Sequence, residues 1–163
     1  MPALEPQSKV LLTGMCHIIS QLPSHKIDKF IGGSGFIGAW ILKTLLESNL
    51  HVRAVVRSQP KADFLLERFQ EHRDKLEFTI IEDITTPDAF DAAFEDGTVQ
   101  GVIHAASPRP TMNPEDDPDV LIKPAVEGTL GILKSAAKFD TVKRVVITST
   151  IFNALVPNEP TTT

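Results

Sequence analysis

Short apolar runs alternate along the chain with longer segments whose apolar residues recur close to every 3.6 positions. That alternation is the signature of βαβ units. The run Lys9-Val10-Leu11-Leu12-Thr13-Gly14 predicts a first strand. A helix is expected after Gly35, where Phe36, Ile37, Trp40, Ile41, Leu45 and Leu46 fall on one face. His51 to Arg57 reads as the second strand, Lys61 to Asp74 as a charged amphipathic helix, and Leu76 to Ile81 as the third strand, ending at Glu82-Asp83. A short helix over Pro87 to Phe94 leads to a fourth strand, Gly101 to Ala106. A helix from Val120 to Phe139 and a fifth strand from Val142 to Thr150 complete the pattern. The β-branched run Val145-Val146-Ile147 predicts burial on both faces, as in a parallel sheet covered by helices. Right-handed crossovers then give an α/β, doubly wound parallel sheet of order 3-2-1-4-5, of the Rossmann type. Ser107 to Pro118, with four prolines, reads as a surface loop, and no internal repeat is visible.

Composition narrows the function classes. The 163 residues, 42% hydrophobic and 23% charged, suit one soluble domain with a sizeable core. A net charge of −5 offers no basic footprint for nucleic acid or an anionic membrane surface. No apolar run approaches the ~20 residues that span a bilayer. The start, MPALEPQSK, is too polar for a signal peptide, and Cys16 is the only cysteine. The expectation is a cytoplasmic protein with no nucleic-acid or membrane partner. No metal site is expected, because His17, His25, His51, His72 and His104 have no metal-ligand spacing. The chain has nine Phe and one Trp but no Tyr.

Gly32-Gly33-Ser34-Gly35-Phe36-Ile37-Gly38 contains G-x-x-G-x-x-G at the opening of a helix. Glycines let a backbone turn tightly against a pyrophosphate, and the helix N-terminus supplies free N–H groups and a positive dipole. Glycines also serve plain turns. The surrounding βαβ unit favours the phosphate reading, with Gly14, Gly33, Ser34, Gly35, Phe36, Ile37 and Gly38 as candidates. Together TG, GSGFIG, VVRS, EDI, VIHAASP, PAVEGTLGIL and VKRVVITS resemble the extended short-chain dehydrogenase/reductases of the NAD-dependent epimerase/dehydratase superfamily. The resemblance is strongest to the dihydroflavonol-reductase-like and fungal aldehyde/ketone reductase branch. It runs from Lys9 to Pro157, implying an NAD(P)-binding domain over 9–157 and a tail over 158–163.

One stretch departs from that pattern. In the family a strand of the KVLLTG type runs straight into the glycine turn, whereas here the 18 residues from Met15 to Gly32 intervene. Three readings compete. The first is a loop insertion, and the second makes Lys29-Phe30-Ile31 the central strand in place of KVLLT. The third, which we favour, is a retained intron translated in frame. Eighteen codons are 54 nucleotides, the length of a short fungal intron. With Gly14 encoded GGT and Ile31 encoded ATA, the ends would carry a donor-like GTATGT and an acceptor-like AG. Excision would rebuild KVLLTG-GSGFIG.

The second strand ends at Val56-Arg57-Ser58, where NAD-selective units carry an acid for the ribose 2′-hydroxyl. Arg57 lies 19 residues past Gly38, and a guanidinium can pair bidentately with a 2′-phosphate. NADP(H) is therefore the expected cofactor. Ala105-Ala106-Ser107 ends the fourth strand with side chains small enough for a ribose and pyrophosphate to approach the backbone. The resemblance implies that Asp83 and Ile84 meet the adenine, the carboxylate accepting from its exocyclic amine; the alternative for Asp83 is a helix cap or loop carboxylate. His104 reads as a packed strand histidine.

The resemblance also implies a catalytic hydroxyl after the fifth strand, for which Thr150 stands at the usual Ser position, followed by Tyr-x-x-x-Lys. That pair has no counterpart here. The expectation is the cofactor-binding part of an NADPH-dependent oxidoreductase acting on a small ketone or aldehyde, truncated and catalytically impaired. The alternatives are a non-catalytic NADP(H)-binding sensor or interaction module, and an unstable product without function.

Overall fold

The computed structural model describes residues 4–5, 7–14, 34–107, 117 and 119–149. Five strands, β1 (Lys9–Thr13), β2 (His51–Val56), β3 (Leu76–Ile80), β4 (Val99–His104) and β5 (Arg144–Ile147), form one sheet. The order is β3-β2-β1-β4-β5 and every pairing is parallel, as the sequence pattern predicts. Helices α1 (Ser34–Glu47), α2 (Gln59–Arg68) and α3 (Asp119–Ala137) accompany the strands.

Parallel strands alternate their side chains between two covered faces, so each inner strand must be apolar on both. In β1 Leu11 enters a core with Phe90, Phe94, Val102 and the α3 residues Ile132 and Ala136. Its neighbour Leu12 enters the opposite core with Leu42 and Leu46 of α1 and Ala62 and Leu65 of α2. Both leucines are fully buried. The slot between β2 and β4 is thus filled by Lys9–Thr13. This closes the alternative that placed Lys29-Phe30-Ile31 there; those residues lie outside the described ones, as do Gly33 and Thr150.

Three other expectations change. The helix expected over Lys61 to Asp74 ends as an α-helix at Arg68 and continues from Gln70 to Lys75 as a tighter 3-10 segment. The cause lies in QEHRDK, where no residue is buried, so no packed face sustains an α-helix. The helix expected over Pro87 to Phe94 contracts to a 3-10 turn at Asp91–Ala93. In β5 only Val145 packs against a core, while Val146 and Ile147 are 44% and 42% exposed. Two-faced burial requires a layer on each side, and β5 is the edge of the described sheet.

At the opposite end of the sheet from the strand C-termini, β2 carries a nearly buried Arg53. Its Nε and Nη2 donate to Glu77 of β3 at 3.1 and 2.7 Å. Nη1 donates to the Ala93 carbonyl at 2.7 Å and to Asp96 at 3.0 Å, and Nη2 also reaches Asp96. The guanidinium holds the Asp96 carboxyl well below the usual carboxylate range. This fork ties β2, β3 and the segment entering β4 together. Asp96→Ala leaves part of a buried guanidinium unpaired and is expected to lower unfolding free energy by about 1–3 kcal/mol in urea denaturation. Glu95→Ala, at an exposed neighbour, should change it by less than about 0.5 kcal/mol.

Candidate functional site

In an open parallel sheet, ligands bind beyond the strand C-termini where the order reverses. Here that point lies between β1 and β4. A cavity of about 340 Å³ opens there. Thr13 and Gly14 line it from β1, Val55 to Arg57 from β2, Ile81 to Thr85 from the end of β3, and Ala105 to Ser107 from β4. Lys61 of α2 and Pro124 of α3 complete the described wall.

The floor is set by backbone. Gly14 has φ +95°, in the left-handed region. A Cβ on it would sit 2.3 Å from the Ala105 carbonyl carbon, 2.4 Å from that carbonyl oxygen and 2.6 Å from the Ala106 nitrogen. Only glycine satisfies both conditions. Gly14, Ala105, Ala106 and Ser107, selected from sequence, are thereby brought together.

The far wall carries charge. Asp83 accepts from the Thr85 N–H at 2.8 Å and from the Thr85 hydroxyl at 2.7 Å. These two bonds hold its pKa below the ordinary value, and the nearby Arg57 adds attraction. The carboxylate is therefore ionised and exposed. Ile84 is wedged between the cavity and α3, where a Cβ on Gly128 would come within 2.8 Å of its Cδ1. Lys61 joins Arg57 in the wall and was missed in the sequence reading. The available signal was its place four residues past Arg57, in the turn that Pro60 opens.

Other candidates are placed as follows. Ser34, Gly35 and Phe36 form the first turn of α1, Gly38 is buried in it, and Ile37 is half exposed. Thr148, beside the expected catalytic position, turns its hydroxyl onto the His104 carbonyl at 3.3 Å, and its N–H donates to the same oxygen at 2.9 Å. Among the described residues, no group of three or more His, Cys, Asp or Glu could hold a metal ion, and no helix is long and apolar enough to cross a membrane.

A sequence model of the NAD dependent epimerase/dehydratase family matches residues 30–162. The chain belongs to that family. An uncharacterised oxidoreductase of Schizosaccharomyces pombe is 42% identical over 126 residues, which are 77% of this chain and 37% of that protein. Ketoreductase CTB6 of Cercospora nicotianae is 38% identical over 77% of this chain and 37% of its own length. Dihydroflavonol 4-reductase of Solanum lycopersicum is 39% identical over 72% and 31%. Gre2 of Candida albicans, solved in complex with NADPH, superposes with a TM-score of 0.69 at 31% identity, over 87% of this chain and 37% of that one. The chain thus spans roughly a third of the length of these epimerase/dehydratase-family relatives. The cofactor expected from the sequence is the one that Gre2 holds.

The crowding at Gly14 is testable against another left-handed glycine, Gly97, at φ +62° with nothing near its Cβ position. Gly97→Ala should cost about 1–2 kcal/mol of stability for backbone strain alone. Gly14→Ala adds a backbone clash, so its midpoint in urea denaturation should fall clearly further.

Proposed function

We propose that the cavity at the β1–β4 switch point binds NADP(H), and that the chain is the cofactor-binding part of a reductase acting on a small ketone or aldehyde. One observation carries the reading: a backbone floor that admits only glycine lies in the same cavity as a paired cationic wall of Arg57 and Lys61. Bare backbone at Gly14, Ala105 and Ala106 suits the close approach of a sugar–phosphate chain, and two cations suit a 2′-phosphate. Asp83, fixed by Thr85, presents an acceptor for an exocyclic amine, with Ile84 as the apolar surface beside it. The helix opening at Ser34 to Gly38 supplies N–H groups to a pyrophosphate.

Bound NADPH supplies the hydride. The chain contributes binding and orientation, with Thr150 as the hydroxyl donor to the substrate carbonyl. A proton donor of the Tyr-x-x-x-Lys type has no source in this tyrosine-free sequence, so no carbonyl reduction above background is expected from the chain by itself. The ketoreductase and dihydroflavonol reductase relatives support a carbonyl substrate.

Residues 15–32 fit a retained intron within a domain spanning 9–157. Its removal would join Gly14, already at the left-handed end of β1, to Gly33, the residue before α1. Sequencing of the transcript should show two forms, with and without those 54 nucleotides. A single form retaining them would refute the intron.

Fluorescence titration tests the cofactor reading. Arg57→Ala should raise the NADPH dissociation constant by about tenfold or more, the scale of one charge-assisted contact, and leave NADH almost unchanged. Equal losses for both nucleotides, or no binding of either, would sink it.

A further inference from the structure

His104 is 2% exposed and Thr13 0%, and they meet at the cavity floor. Thr13 Oγ1 and His104 Nδ1 share a hydrogen bond of 2.8 Å between the last residues of β1 and β4. The residues that follow them are Gly14 and Ala105, the pair in backbone contact. A second link runs beside the first, from the Ala105 N–H to the Thr13 carbonyl at a long 3.3 Å. The same histidine also reaches β5, since its carbonyl accepts both the N–H and the hydroxyl of Thr148. One residue therefore joins three strand ends: β1 through its ring, β4 through its own backbone, and β5 through its carbonyl.

We propose that His104 is a positioning residue for the dinucleotide site, its ring hydrogen bond to Thr13 setting the gap between Gly14 and Ala105. The nature of the ligand rests on the NADP(H) reading above; the positioning of the two backbone segments does not. Weak main-chain pairing at Ala105 leaves the side-chain bond as the tighter clamp across the switch point. Burial favours the neutral ring, so the bond joins two uncharged groups and persists at neutral pH. The ring packs at a steep angle against Phe90, with centroids 6.4 Å apart, so the imidazole has both a packed neighbour and a polar partner. An apolar filler could supply the first contact but not the second.

Two substitutions at Thr13 separate clamping from packing. Thr13→Val keeps the shape and removes the hydroxyl; Thr13→Ser keeps the hydroxyl and removes a methyl. In the ligand-free intact chain, amide hydrogen exchange at Ala105, compared with Phe78 in β3, reads the local gap. Clamping predicts that the ratio rises about tenfold in Thr13→Val and stays within about threefold in Thr13→Ser. It also predicts a larger rise in the NADPH dissociation constant for Val, about tenfold, than for Ser. If packing alone mattered the order would reverse, with Ser worse than Val, and the proposal would fall. An unchanged exchange ratio in Thr13→Val overturns it equally. If wild type shows no NADPH binding while the exchange ratio follows the clamping order, the cofactor reading fails and the positioning role stands.

Discussion

Gly14 passes so close to the Ala105 carbonyl that no Cβ fits between them, and its φ lies where only glycine is at ease. Two strand ends are thereby drawn together at the point where the sheet order reverses. Behind the contact Thr13 and His104 are hydrogen-bonded out of solvent, and in front of it the cavity opens. The lining of that cavity by bare main chain follows from this approach. A larger residue at position 14 would push β1 and β4 apart.

The charged residues divide between the two ends of the sheet. At the N-terminal end Arg53 is consumed by Glu77, Asp96 and the Ala93 carbonyl, which binds neighbouring strands but leaves little of the guanidinium to recognise anything else. At the C-terminal end Arg57, four residues on along the same chain segment, stands beside Lys61 and Asp83 in an open cavity. Two arginines close in sequence thus differ by their surroundings: one is a strut, and the other faces a site that an anion can enter.

Much of the cavity lining was readable from residue type and order, while the adenine contact expected at Asp83 and Ile84 came only from the family resemblance. Gly14, Arg57, Asp83, Ile84 and Ala105 to Ser107 all stand at or just past strand ends in the pattern, and strand ends are where this sheet presents groups to one side. Lys61 was not read, because its place in the cavity lining depends on where α2 starts. The Asp83–Thr85 clasp was equally hidden, since a carboxylate two residues before a threonine occurs in many loops. His104 read as ordinary packing, and its hydrogen bond to Thr13 spans 91 positions of sequence.

The sequence by itself determined the elements and their order. Two-faced apolar runs can be satisfied only between two layers of helix, and right-handed crossovers admit the doubly wound order that β1 to β5 adopt. Its glycines and Arg57 also pointed to where a phosphate-bearing ligand is expected. Tertiary structure alone decided which segment holds the central slot, because Lys9–Thr13 and Lys29-Phe30-Ile31 each precede a glycine, and the slot goes to Lys9–Thr13 through its pairing with both β2 and β4. It decided too that Val146 and Ile147 remain half exposed, since a strand's burial depends on what packs over it. The Gly14–Ala105 contact belongs to the same class: local sequence permits a left-handed glycine, but only the pairing of β1 with β4 makes it obligatory.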